Sequence, residues 1–164
     1  MRMICLLNFI SVAVFGMVLS MAFCDIVWTR RRCLAMTGSM AAILLFQGVV
    51  YFGGGLSVTG YLYPLITHLP LAAMLCVLNK RWLWPVISVL TAYLCCQLRR
   101  WIALLAVAVF SGSPMLQTSV ELAVTLPLLL VLIRFIAPSV RSLSHYPASV
   151  QFQFGLVPAL YYGF

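Results

Sequence analysis

Acid is what this chain has least of: its 164 residues include two, Asp25 and Glu121, against ten lysines and arginines. Charged residues of either sign make up 7% and apolar ones 65%, whereas about a quarter of a soluble domain is charged. That balance excludes an ordinary water-soluble globule. Because Asp25 is the sole aspartate, a catalytic aspartate pair is excluded too. The only histidines are His68 and His145, so there is little material for acid-base chemistry.

Other absences narrow the chemistry further. No H-E-x-x-H and no G-x-S-x-G occurs, which removes a helix-borne zinc site and the hydrolase nucleophile turn. The run Gly53-Gly54-Gly55 has no lysine beside it, and a loop that cradles phosphate needs one. Cys5, Cys24, Cys33, Cys76, Cys95 and Cys96 lie in or beside apolar runs without metal-ligand spacing, and they read as small buried hydrophobes. Palmitoylation of Cys24 or Cys33, next to an arginine cluster, is the alternative reading. A peptidase pair of His68 and Cys76 fails on distance, since eight residues along a helix span about 12 Å. No catalytic residue, metal or cofactor is expected.

What the chain does have is long apolar runs. A helix of roughly 20 such residues crosses about 30 Å of hydrocarbon, and no stretch alternates apolar and polar residues as barrel strands do. The runs place spans over 3–24, 33–52, 56–78, 82–101, 115–137 and 147–164. The expected fold class is therefore all-α, a single polytopic transmembrane bundle of about six helices. The first run closes on "LSMAFC", which loosely resembles a lipoprotein cleavage box. It is long for a signal core, Phe23 is bulky at the cut, and Arg30-Arg31-Arg32 follows as an anchor, so it reads as the first span.

A net charge of +8 raises the question of nucleic acid. The basic residues stand in ones, twos and one threesome at the ends of apolar runs, so they signal topology instead and no nucleic-acid partner is expected. Alternating the spans puts Arg30, Arg31, Arg32, Lys80, Arg81, Arg134 and Arg141 inside and Arg2, Arg99 and Arg100 outside, which predicts an external amino terminus. "GGGLSVTG" then forms an outer loop, and Trp28 marks a headgroup level. Trp82 and Trp101 stand about 28 Å apart along a helix, close to the spacing of the two aromatic belts. On that geometry Arg99 and Arg100 reach lipid phosphates at the outer interface, and residues 102–110 either lie on the surface or prolong the helix. A re-entrant hairpin over 82–110, with both arginines inside, is the competing arrangement.

Ionisable groups inside spans are costly and point to sites. His68 lies in "YLYPLITHLPLAAM" between Pro64 and Pro70, each of which frees a backbone carbonyl; its competing role is to pack helices through a hydrogen bond to Thr67, a tyrosine or a freed carbonyl. Glu121, about one and a half turns into the fifth span, is expected to pair with Arg99 or Arg100. Pro127 and Pro158 are kink positions, and Gly16 with Ser20, like Gly38 with Ala42, permits close helix approach. The candidate ligand-binding set is Tyr61, Tyr63, His68, Arg99, Arg100 and Glu121.

The strings "AYLCCQLRRWIALL", "TLPLLLVLIRFIAP" and "FGLVPALYYGF" give the chain a likeness over nearly its whole length. It resembles the amino-terminal membrane sensor of GHKL-type histidine kinases from Gram-positive gut bacteria, similar in layout to peptide quorum-sensing receptors. The resemblance implies a multi-helix receptor in a bacterial plasma membrane that binds an extracellular peptide or small-molecule signal, works as a homodimer and passes a conformational change to a cytoplasmic kinase. In that family a further span, a dimerisation helix and an ATP-binding domain follow. Here the sequence stops at Phe164, and neither Asn8 nor Asn79 belongs to a nucleotide-binding box, so it is expected to be a non-enzymatic fragment. The contrasting expectation is the substrate-binding subunit of a vitamin-type importer, with His68 lining a midplane pocket.

Overall fold

The computed structural model describes residues 2–26, 29–110 and 114–163, with backbone alone at Arg2, Leu56, Tyr162 and Gly163. Trp28 and the loop 111–113 lie outside the described residues. Among those described, the chain is helical and has no strand. Five stretches are long and apolar enough to cross a membrane: Met3–Phe23, Arg30–Gly55, Ser57–Asn79, Leu83–Phe110 and Pro114–His145. A sixth, shorter helix, Ala148–Gly163, follows them.

Helix α1 (Arg2–Phe23) touches α2 (Arg30–Tyr63), α4 (Leu83–Phe110), α5 (Pro114–Val131) and α6 (Ala137–Ser142). Its side chains at Ala13, Phe15, Met17, Leu19 and Phe23 are fully buried. At 100° per residue these positions fall on two roughly opposite faces of the helix, so α1 is packed from both sides within the bundle. Helix α7 (Ala148–Gly163) packs against α4 instead.

The glycine run does not make a loop. Helix α2 continues through it and breaks at one residue, Gly55, with φ +75° and ψ −176°. Only glycine takes such a backbone cheaply. Gln47 then donates its side-chain amide to the hydroxyl of Thr67, twenty positions away. On an unbroken helix those residues would stand about 30 Å apart, so the chain reverses at Gly55 into a tight helical hairpin.

Two wide π-helical turns, Pro64–His68 and Leu132–Ile136, each end two residues before a proline, Pro70 and Pro138. A proline lacks the N–H that would bond four residues back, and its ring crowds that carbonyl. Widening the preceding turn relieves the conflict, as the bonds from the N–H of Leu69 to the carbonyl of Pro64 and from the N–H of Ala137 to that of Leu132 show. Helix α3 (Leu69–Asn79) completes the path back to the basic end.

One end of the bundle collects the short turns. Asp25 lies 3.6 Å from Nε of Arg141 and 3.6 Å from Nε2 of His145. Trp84 donates its indole N–H to the carbonyl of Phe23 at 3.0 Å, and Asn79 its amide to that of Cys24 at 3.2 Å. Arg81 donates to the carbonyl of Ser144 at 3.2 Å. Arg30, Arg31 and Arg32 open α2, with the hydroxyl of Thr29 capping the N–H of Arg32. Cations at a helix amino terminus oppose its dipole, so the trio adds nothing to the stability of α2.

Helix α4 settles the status of residues 102–110: they prolong the helix, which runs unbroken to Phe110. The helix therefore extends nine residues beyond the span expected at 82–101.

Candidate functional site

Three short polar patterns sit within the apolar helices and meet in space. On α1, Asn8 and Ser11 are three residues apart; on α5, Gln117 and Glu121 are four apart; each pair therefore shares a face. Helix α4 brings Arg99 between them. Its guanidinium is 1% exposed. It donates from Nη2 to Oδ1 of Asn8 at 2.5 Å and from Nη1 to Oγ of Ser11 at 3.1 Å. The Asn8 amide nitrogen donates in turn to Oε2 of Glu121 at 2.5 Å, and Gln117 donates to Oε1 at 3.1 Å.

Asn8 is thus an adaptor between unlike charges. Its carbonyl oxygen answers a cation and its NH₂ answers an anion, since an amide side chain carries its acceptor and its donors on separate atoms. The direct pair expected between Glu121 and an arginine is not formed; Glu121 and Arg99 are linked through Asn8 instead, and among the described residues the direct ion pairs are those of Asp25. The Phe15 ring lies 5.9 Å from the guanidinium carbon, and Nε of Arg99 has no hydrogen-bond partner among the described residues. An interior arginine without such acceptors would be strongly unfavourable.

Where lipid contact was expected for both arginines, Arg99 is enclosed by protein. Arg100 is exposed. Sixteen helical rises separate Arg99 from Leu83, about 24 Å, so the network lies well away from the basic end.

A second cluster abuts the first through α1. The His68 ring lies over that of Tyr93 with centroids 3.9 Å apart, and Tyr63 meets Phe9, His68 and Tyr93 edge-on at 5.0, 5.5 and 6.0 Å. Tyr93 fits because residue 16 is glycine: a Cβ there would come within 2.4 Å of the ring. The wide turn Pro64–His68 carries His68 toward this stack. A cavity of about 290 Å³ opens between Phe9, Tyr63, His68, Tyr93 and Gln97. An apolar cleft of about 530 Å³ runs from Pro64 and His68 past Cys76 to Val86 and Leu90.

Of the six candidate residues, Arg99 and Glu121 join one network, and Tyr63 and His68 join the aromatic stack. Tyr61, 88% exposed, and Arg100 join neither. Asn8, Ser11, Gln117 and Tyr93 were missed. The first three carry a signal that sequence reading can use, namely uncharged polar residues at helical spacing within otherwise apolar spans. Comparison with known protein families, curated proteins and solved structures finds no match to this chain.

Proposed function

We propose that this chain is the signal-sensing membrane part of a receptor, without catalysis of its own, of the kind that precedes a GHKL-type histidine kinase. In this reading it lies in a bacterial plasma membrane with its amino terminus and the Arg99 network toward the outside. The excess of basic residues at the opposite end supports that orientation. The observation that carries the reading is the guanidinium of Arg99, enclosed by three helices and held by an amide that also holds Glu121.

Such a network has a natural competitor. A ligand carboxylate accepts from an arginine more strongly than a neutral amide oxygen does. If it takes Arg99 from Asn8, α1 loses its polar tie to α4 in this half of the bundle, and Glu121, still held by Asn8 and Gln117, loses the cation that the amide linked to it. The ligand then binds two helix arrangements unequally, which is the requirement for a signal. Phe9, next to Asn8, rests on Tyr63, so a shift of α1 reaches the wide turn at His68. At the other end α1 is tied to Asn79 and Trp84, which offers a route to a domain beyond the membrane.

Photo-crosslinking tests this. Short apolar peptides with a free carboxy terminus, applied to the amino-terminal side of proteoliposomes, should label the wild-type chain more than their carboxamide counterparts do. Arg99→Gln should abolish that preference and Arg100→Gln should keep it. Equal labelling by acid and amide peptides would reject the sensor site. Single cysteines placed around the Gly55 reversal and at positions 111–115, modified by an impermeant thiol reagent, test the orientation.

The cleft beside His68 favours one other reading, a solute-carrier subunit whose pocket lies at the proline-broken helix. Tight copurification of a small molecule that is lost in His68→Ala supports it over the sensor.

A further inference from the structure

At the basic end a cavity of about 580 Å³ opens between the turn after α3 and the turn before α7. Lys80, Arg81, Trp82 and Trp84 line it from one side, and His145 and Tyr146 from the other. Its floor is built: Trp84 is fully buried and tied to the carbonyl of Phe23, and the Gln151 amide donates to the carbonyls of Ser144 and Tyr146 at 3.0 and 2.9 Å. Its mouth is aromatic, with Trp82 73% and Tyr146 54% exposed.

Charge balance gives the cavity a purpose. The chain has two acids. Glu121 belongs to the network in the other half of the bundle, and Asp25 engages Arg141 and His145. Nothing anionic is left for Lys80 and Arg81. Arg81 reaches only a backbone carbonyl, that of Ser144, and Lys80 makes no hydrogen bond or ion pair among the described residues. Lys80 also holds a left-handed backbone, φ 54° and ψ 20°, so it sits at the sharp point of the turn that forms the rim.

Two unanswered cations beside amphipathic aromatic side chains, at the end of a membrane bundle, match one ligand chemistry. We propose that this cavity binds the phosphate ester of an anionic phospholipid from the adjoining leaflet, with Lys80 and Arg81 donating to the phosphate and Trp82 and Tyr146 flanking the glycerol backbone. The site rests on the membrane-spanning arrangement and is independent of the sensor reading. Free phosphate shares the recognised group, and the experiment separates the two sources.

Native mass spectrometry of the purified chain from micelles holding equal phosphatidylglycerol and phosphatidylcholine measures which lipid stays bound. Phosphatidylglycerol should be retained preferentially. Each basic residue removed should lower that preference about fivefold, first in Lys80→Gln and again in Lys80→Gln with Arg81→Gln. Arg30→Gln with Arg31→Gln removes as much charge from the same end outside the cavity and should leave the preference within about twofold. Lys80→Gln breaks no hydrogen bond or ion pair among the described residues, so it reports on binding even if loss of the Arg81 bond to Ser144 disturbs folding. Equal retention of the two lipids overturns the proposal, as does an equal loss in the Arg30 and Arg31 variant. Displacement of the lipid by millimolar inorganic phosphate assigns the cavity to the free ion and overturns the lipid assignment.

Discussion

Arg99 and Arg100 are adjacent in sequence and occupy different faces of α4: the first is 1% exposed and bonded to Asn8 and Ser11 of α1, the second is exposed. One residue turns a helix by about 100°, enough to separate the interior of a bundle from its surface. Removing Arg99 therefore takes a donor from the Asn8 carbonyl oxygen and from the Ser11 hydroxyl and deprives Glu121 of the cation linked to it through Asn8, whereas removing Arg100 breaks no hydrogen bond or ion pair among the described residues. Arg99→Met should cost about 3 kcal/mol, and Arg100→Ala should stay within about 0.5 kcal/mol. Thermal unfolding in detergent distinguishes them; equal shifts would contradict the enclosure of Arg99.

The bridging role of Asn8 has its own signature. Arg99 and Glu121 are linked through the Asn8 side chain, so a double-mutant cycle between Arg99→Met and Glu121→Gln should show a coupling of about 1 kcal/mol. In an Asn8→Leu background, which keeps the helix and deletes the amide, most of that coupling should disappear. Coupling that persists unchanged would mean the two charges communicate without the amide.

The hairpin at Gly55 predicts a contrast between near neighbours. Gly55→Ala forces an L side chain to φ +75° and should cost about 1–2 kcal/mol. Gly53→Ala meets open space in a helix, where alanine gains up to about 1 kcal/mol over glycine, so it should be neutral or stabilising. Cross-linking of Gln47→Cys with Thr67→Cys checks the reversal directly: a straight helix would leave that pair unreactive.

Gly16→Ala should cost about 1–3 kcal/mol, because its new methyl group overlaps the Tyr93 ring. Combining it with Tyr93→Leu should recover part of the loss. If melting shows the two changes to be additive, the close approach of α1 to the ring is not the cause.

How much was legible in the sequence follows from what each feature depends on. Apolar length is a sum along the chain, so the sequence by itself determined the all-helical class, the presence of helices long and apolar enough to cross a membrane and the segregation of Arg30–Arg32, Lys80, Arg81 and Arg141 from Arg99. Pro70 announced distortion, though not that it would take the form of a wide turn, and Pro138, which has the same effect, was not read as a distortion at all; a proline fixes which bond is lost and the surroundings decide how the backbone relaxes. Helix rotation is different. Whether Arg99 or Arg100 faces inward, and whether Asn8 meets Glu121, depends on how α1, α4 and α5 turn about their own axes to pack. No single helix carries that information, since each apolar run offers several faces of similar hydropathy. The glycine run is an intermediate case: the sequence placed a reversal there as a loop, and only the structure narrows it to one residue, Gly55, within a hairpin closed by Gln47 and Thr67. Tertiary packing decided the partners, and the partners make the site.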